Sequence, residues 1–294
     1  MYDKMSILYK LEEFMRIHVT SDSTCDLSPE LIAQYNIQIS PLYVVLDGKA
    51  YRDTLEITPD DIYAYVERTK KVGSTAALNV SDYLEFFRAN LEGYDAIIHF
   101  TISSDMSSCY QNACIAAEEV GNVYVIDSRN LSTGIGHLVL DAAELAAEGR
   151  DAKEIYDILN ERKKKLDVSF VIDTLKYLSL GGRCSSVVAL GANLLNLKPT
   201  ILVKDGKMIV GKKYRMSLDR ALLRYVRDQL GDLDTVDTRR IFITDSGTSN
   251  ENRQAVENLL KELLPFEKIY HTRAGCTVSN HCGPNTLGIL FYRK

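Results

Sequence analysis

Short apolar, β-branched runs recur along the chain, and each ends in an aspartate followed by a hydroxyl residue. They are 16–20 before Asp22-Ser23-Thr24, 123–126 before Asp127-Ser128, 169–172 before Asp173-Thr174, and 241–244 before Asp245-Ser246. A continuous apolar run bounded by turn residues reads as a buried strand. Asp, Ser and Thr oxygens satisfy the free amides of a first helical turn, so each run predicts a strand feeding a capped helix. Ser28-Pro29-Glu30 and Thr58-Pro59-Asp60-Asp61 place a cap, a proline and an early acid ahead of helical patterns at 31–35 and 62–66. A third helix is predicted from Ser81 to Gly93, a strand over 96–101, and a helix over 107–119. That last helix opens with small hydroxyl residues, which let a ligand approach its N-terminus.

This alternation predicts an α/β protein whose N-terminal part is a mainly parallel, Rossmann-like sheet with helices. The pattern changes after a polar stretch at 162–167. Asp205-Gly206, between alternating runs at 200–203 and 207–210, is a hairpin signal. The C-terminal part is therefore expected to be α+β with a mixed or antiparallel sheet, and the division is placed at 1–165 and 166–294. Met15 directly precedes the first strand, so residues 1–14 read either as an added helix or as an upstream start.

Of the 294 residues, 46% are hydrophobic and 26% charged, the composition of a chain able to bury a core. A net charge of −5 without a basic-aromatic patch argues against nucleic acid. The densest basic stretch, Arg162-Lys163-Lys164-Lys165, follows a helical pattern and reads as a solvated helix end. No apolar run approaches the ~18 residues that span a bilayer. Asp3, Glu12 and Glu13 make the N-terminus unlike a signal peptide. The expectation is a soluble, cytoplasmic protein that is not integral to a membrane. Cysteines at 25, 109, 114, 184, 276 and 282 form no C-x-x-C pair and no zinc spacing, so reduced thiols and no metal are expected.

Gly206 to Lys213 nearly spells a phosphate-binding loop. Lys213, however, stands where Ser or Thr must ligate Mg²⁺, and no strand-loop-helix surrounds it. Gly134-Ile135-Gly136 reads as close helix packing. A stronger constellation is made of hydroxyls, a histidine and an arginine. Thr75 lies in a loop before the third helix, and Ser107 with Ser108 opens a helix. Arg215 follows the hairpin, and His281 lies in the turn 279–284 before the last strand. Taken singly, Thr75 and Ser107 also read as helix caps, Arg215 as a surface charge and His281 as a hydrogen-bonded turn residue.

Six motifs, in order and spacing, resemble the DegV family over nearly the whole chain from Met15. They are Asp22-Ser23-Thr24-Cys25-Asp26-Leu27, Asp105 to Ala113, Leu180-Gly181-Gly182-Arg183, Leu197-Lys198-Pro199, Lys213-Tyr214-Arg215 and His281-Cys282-Gly283-Pro284. The resemblance implies two α/β lobes with one long-chain fatty acid, such as palmitate, stearate or oleate, in a tunnel between them. It implies no further cofactor. The protein would act as the lipid-binding, non-enzymatic subunit that presents the acyl carboxyl group to a separate ATP-binding fatty-acid kinase subunit. Carried over by position, Thr75 and Ser107, with Ser108 beside it, hydrogen-bond the carboxylate. Arg215 and His281 lie near that head group, and Arg183 faces the kinase subunit. Two departures stand out. Thr75-Ala76-Ala77-Leu78-Asn79 replaces the family's Thr-Ser-Gln-Pro-Ser, and Ser107-Ser108-Cys109-Tyr110 replaces its Ser-Gly-Thr-Tyr.

The chemistry suits such a ligand. Burying a sixteen-carbon tail contributes on the order of 10 kcal/mol at about 0.8 kcal/mol per methylene, of which ordering and association take back a share. The head group then needs only to be satisfied. The alternative is a hydrolase or acyl-transfer enzyme using Ser107 and His281. That reading requires a base within about 3 Å of the nucleophile and a third group orienting it. Met106-Ser107-Ser108 supplies no nucleophile elbow.

Overall fold

Apolar runs and caps become alternating strands and helices in the first lobe. The structure, a computed structural model, describes residues 15–184 and 197–294. The extension expected at 1–14 lies outside the described residues. In chain order come β1 (Ile17–Asp22), α1 (Pro29–Gln34), β2 (Gln38–Ser40), β3 (Tyr43–Leu46), β4 (Lys49–Arg52), α2 (Pro59–Thr69) and β5 (Ser74–Ala76). They are followed by α3 (Val80–Leu91), β6 (Ala96–Thr101), α4 (Cys109–Val120), β7 (Val123–Asp127), α5 (Thr133–Ala147) and α6 (Ala152–Arg162). The sheet order β2-β1-β6-β7 is parallel throughout. Every residue of β6 is buried, which is why it reads as an unbroken apolar run rather than an alternating one. Reciprocal capping boxes, Thr58 with Asp61 and Asn79 with Asp82, open α2 and α3.

The second lobe contains β8 (Leu166–Val171), α7 (Lys176–Gly181), β9 (Leu197–Lys204), β10 (Lys207–Arg215), α8 (Leu218–Leu230) and β11 (Val236–Asp245). It continues with α9 (Asn250–Leu263), β12 (Ile269–Arg273), α10 (Cys276–Cys282) and β13 (Leu287–Arg293). Its sheet runs β10-β9-β8-β13-β11-β12, antiparallel except for β11 with β12. The β9–β10 hairpin turns at Asp205-Gly206, with both residues at positive φ, as the sequence pattern requires.

Three sequence readings are corrected. Asp173 caps no helix. It pairs with Lys198, and α7 starts without a side-chain cap, because β8 lies between two antiparallel neighbours rather than in a βα unit. Thr75 belongs to β5, the edge of a small antiparallel sheet β4-β3-β5. His281 belongs to a helix, not a turn.

That small sheet ties the two lobes together. Val44, Ile62 and Val66 share one apolar cluster with Tyr177 and Cys276, so early residues pack directly on late ones. Helix α5 does the same from the other side. Residues 133–142 are all buried, and a Cβ on Gly134 would lie 2.9 Å from Val168 Cγ2, one on Gly136 3.0 Å from the Cys25 carbonyl oxygen. Both glycines are there because neighbours approach that closely.

Asp141, fully buried on α5, accepts from Arg240, from Tyr292 Oη at 3.0 Å and from Arg162 at 3.0 Å. Removing one member of a buried charge group leaves the others uncompensated. Asp141→Ala is therefore expected to lower stability by about 3 kcal/mol, measured by urea unfolding. A loss no larger than that of a surface alanine would contradict this account.

Candidate functional site

In an open parallel sheet, ligands collect outside the carboxyl ends of the strands where the chain reverses its direction of travel across the sheet. Here that point lies between β1 and β6. The loops leaving β2, β6 and β7 contribute Leu42, Ile102, Met106 to Ser108 and Leu131 to a cavity of ≈ 240 Å³. An apolar cavity of about 150 Å³ already admits a benzene ring, so this one is too large to be a packing flaw. Helix α10 forms the facing wall. Thr277, Val278, His281 and Cys282 all line the cavity, the spacing of one helical face. Thr75 to Ala77, Arg183 and Met208 complete the described wall.

The apolar body of the cavity closes on one polar corner. Thr75 Oγ1 and His281 Nε2 are 2.8 Å apart. The other ring nitrogen, Nδ1, is buried without a partner among the described residues and faces Gly181, where an added Cβ would stand 2.2 Å away. A lone pair is tolerated against that Cα and an orphaned N–H is not, which assigns the proton to Nε2. It donates to Thr75 Oγ1, and the threonine keeps its own hydrogen for a ligand. Burial and then the nearby Arg183 charge lower the His281 pKa to about 4, so the ring is neutral at physiological pH.

Ser107 Oγ accepts from the Cys109 amide at 3.3 Å and lies 3.1 Å from its sulfur. Burial pushes the Cys109 thiol up to about 12, so it is a neutral neighbour. Ser108 occupies the N-cap of α4 without a side-chain cap bond and lines the cavity, so the positive end of that helix lies at the cavity wall. Arg183 is exposed at the rim and donates to the Gly181 carbonyl at 2.9 Å. No described carboxylate pairs with it, and no acid is among the described lining residues. The corner thus offers hydroxyl donors, a helix N-terminus and a guanidinium with no ion-pair partner among the described residues, a set that takes an anion.

Helix α10 is aimed by aspartate side chains from the other lobe. Asp53 accepts from the Cys276 and Thr277 amides at 2.7 and 3.1 Å and from Ser23 Oγ at 2.9 Å. Asp26 accepts from the Gly275 amide at 2.8 Å and from Ser132 Oγ at 2.5 Å. Complete burial, only partly offset by those hydrogen bonds, raises the Asp26 pKa to about 8.

The structure thus brings Thr75, Ser107, Ser108, Arg183 and His281 to one cavity and leaves Arg215 out. The alternation of β10 turns Tyr214 inward and Arg215 to solvent, so the expected place of Arg215 beside the head group is corrected. Ser107 and His281 do not form a nucleophile–base pair. Their hydrogen bonds go to Cys109 and Thr75, and no acid among the described residues orients the imidazole. Sequence reasoning missed Thr277, Val278 and Cys282. Their i, i+1, i+5 spacing was the available signal, obscured by reading 279–284 as a turn. Among the described residues no cluster is arranged to hold a metal ion, and no helix is long and apolar enough to cross a membrane.

Residues 16–294 match the family described as "Uncharacterised protein, DegV family". A DegV domain-containing protein of Caldanaerobacter subterraneus is 31% identical over 281 residues, 95% of this chain and 99% of the relative. A fatty-acid-binding DegV family protein from Thermus thermophilus superposes with a TM-score of 0.86 at 31% identity, covering 95% of this chain and all of that one (100%). DegV of Bacillus subtilis, a fatty acid binding protein, superposes with a TM-score of 0.83 at 27% identity, covering 95% and 100% of the two chains.

Gly181→Ala is expected to push the His281 ring off Thr75 and toward water. In nitrogen-detected NMR the wild-type ring should stay neutral down to about pH 4, and in the variant its midpoint should rise toward the ordinary histidine value. An unchanged titration would show that Gly181 does not hold the ring. Asp26 keeps its proton in the fold up to about pH 8 but releases it near 3.8 when unfolded. Its contribution is therefore present in acid and lost as pH rises through that window. Asp26→Asn, permanently neutral, should gain stability relative to wild type between pH 5 and pH 8 in urea titrations, and a constant difference would refute the assignment.

Proposed function

From its membership of the DegV family, to which this chain belongs over residues 16–294, we propose that it binds one long-chain fatty acid in the interlobe cavity. It would work in the cytoplasm and hand the carboxyl group to an ATP-binding kinase subunit. The observation that carries this reading is the polarity of the cavity: apolar walls that end in one corner of hydroxyls, a neutral imidazole and an exposed arginine, with no acid among the described lining residues. Such a space suits a molecule with a long apolar body and one anionic end. The fatty-acid binding of the Thermus and Bacillus proteins supports the same ligand class.

In this reading Thr75 and Ser107 donate to the two carboxylate oxygens, and the N-terminus of α4 adds its partial positive charge. His281 holds Thr75 in place. The carboxylate is solvated by hydroxyls rather than clamped in a bidentate ion pair, so one oxygen stays able to attack a phosphoryl group. Arg183 at the rim neutralises the remaining charge and faces the incoming subunit. Leu180 beside it is 64% exposed, an apolar contact at the same mouth.

Protein isolated from cells and extracted with organic solvent should yield about one fatty acid per chain. Thr75→Val and Ser107→Ala should each weaken retention roughly tenfold, the effect of losing one hydrogen bond to a charged group at about 1.5 kcal/mol. Arg183→Ala should retain lipid and fail in phosphoryl acceptance from a fatty-acid kinase subunit. An empty protein that takes up no added fatty acid would remove the proposal, and loss of lipid from Arg183→Ala would overturn the division of roles.

A further inference from the structure

Six buried side-chain oxygens have no hydrogen-bond partner among the described residues, those of Tyr83, Thr101, Asn130, Thr200, Thr277 and Asn280. Of these residues only Thr277 lines the interlobe cavity. A buried hydroxyl without a partner has given up its hydrogen bonds to water and gained none in exchange. For Thr277 the missing partner can come from whatever fills the cavity.

The protein supplies none. Thr277 is the second residue of α10 and is 5% exposed. A threonine within a helix commonly donates to the carbonyl one turn earlier, and here that turn precedes the helix. Asp53 already accepts from the Cys276 and Thr277 amides and from the Ser23 hydroxyl. The wall that Thr277 shares carries Leu42, Ile102, Leu131 and Val278, which offer no hydrogen bond from their side chains. The amide bond to Asp53, 3.1 Å long, fixes the Thr277 backbone, while rotation about Cα–Cβ exchanges its methyl and hydroxyl among the staggered positions. The hydroxyl can be presented to the cavity without moving the helix.

Four residues separate Thr277 from His281, so both lie on one face of α10, about 6 Å apart along its axis at about 1.5 Å per residue. His281 belongs to the polar corner, whereas the start of α10 is buried against Asp26 and Asp53. Thr277 is the inner of the two. An extended chain advances about 1.2 Å per bond, which places Thr277 about five bonds inward from a carboxylate held at the corner. Resting on the acyl-binding reading above, we infer that Thr277 makes the cavity selective for acyl chains that carry a hydroxyl near the fifth carbon, which pairs with Thr277 Oγ1. A plain chain leaves the threonine hydroxyl unsatisfied, and a chain hydroxylated at that depth satisfies both groups at once. The same hydroxyl far along the chain meets hydrocarbon and loses its water. One recovered hydrogen bond corresponds to a preference of roughly fivefold.

The test is pairwise competition, 5-hydroxystearic or 12-hydroxystearic acid against an equal concentration of stearic acid, with the bound acid identified by native mass spectrometry. Wild type should prefer the 5-hydroxy acid to stearic acid roughly fivefold and should reject the 12-hydroxy acid. Thr277→Val keeps the shape and removes the hydroxyl, and it should reverse the first preference in favour of stearic acid. Thr277→Ser keeps the hydroxyl and should restore the wild-type order. Circular dichroism verifies that each variant is folded, and the two positional isomers test the placement on wild type alone should a variant not fold. A wild type that treats the two isomers alike, or a folded Thr277→Val with the wild-type preference, would overturn the inference and leave the acyl-binding reading standing. A wild-type protein that binds no fatty acid of any kind would overturn both.

Discussion

The Asp53 carboxylate at the N-terminus of α10 is the interaction on which the rest of the structure depends. It comes from the short loop after the small antiparallel sheet, accepts from the Cys276 and Thr277 amides, and is held in turn by Ser23 at the end of β1. Three segments far apart in sequence are thereby fixed to one carboxylate. A helix of this length has little stability of its own, so its orientation is set by the cap and by packing. That orientation puts Val278, His281 and Cys282 on the cavity wall. Without it the two lobes would still have their sheets, but the space between them would lose its facing wall.

Affinity and orientation are divided between the two ends of this cavity. Apolar burial is non-directional and grows with each methylene, so it can hold a chain but cannot say which way it points. Direction comes from one corner, where neutral donors and the α4 terminus favour a negative group. Gly181 belongs to this arrangement through what it lacks. Any side chain there would occupy the space of the His281 ring, which makes the first glycine of Gly181-Gly182-Arg183 part of the polar corner. The following Gly182, at φ +70°, turns the backbone so that Arg183 emerges at the rim.

Much of this was legible in the sequence. The parallel strands of the first lobe, the caps of α1 and α2, and the Asp205-Gly206 hairpin follow from local patterns that tertiary packing reinforces. The motifs also pointed to Thr75, Ser107 and His281 before any coordinates. What stayed hidden depends on contacts between distant residues. Strands β3, β4 and β5 are short, and β3 and β5 pack against α10 from the far end of the chain, so their runs carry weak signals. Helix α10 looked like a turn because Gly283-Pro284 ends it and a carboxylate more than two hundred residues away begins it. Arg215 was misplaced because sequence proximity to a motif does not say on which side of a strand a residue falls.

A crystal structure of the protein with a fatty acid brominated at its terminal carbon tests the central claim most directly, since anomalous scattering locates one end of the ligand and hydrogen-bond geometry the other. The account predicts the carboxylate within hydrogen-bonding reach of Thr75 Oγ1 and Ser107 Oγ, with the bromine among the apolar side chains of the same cavity, away from that corner. A ligand lying in the reverse direction, or bound outside the space between α10 and the β6–α4 loop, would contradict it.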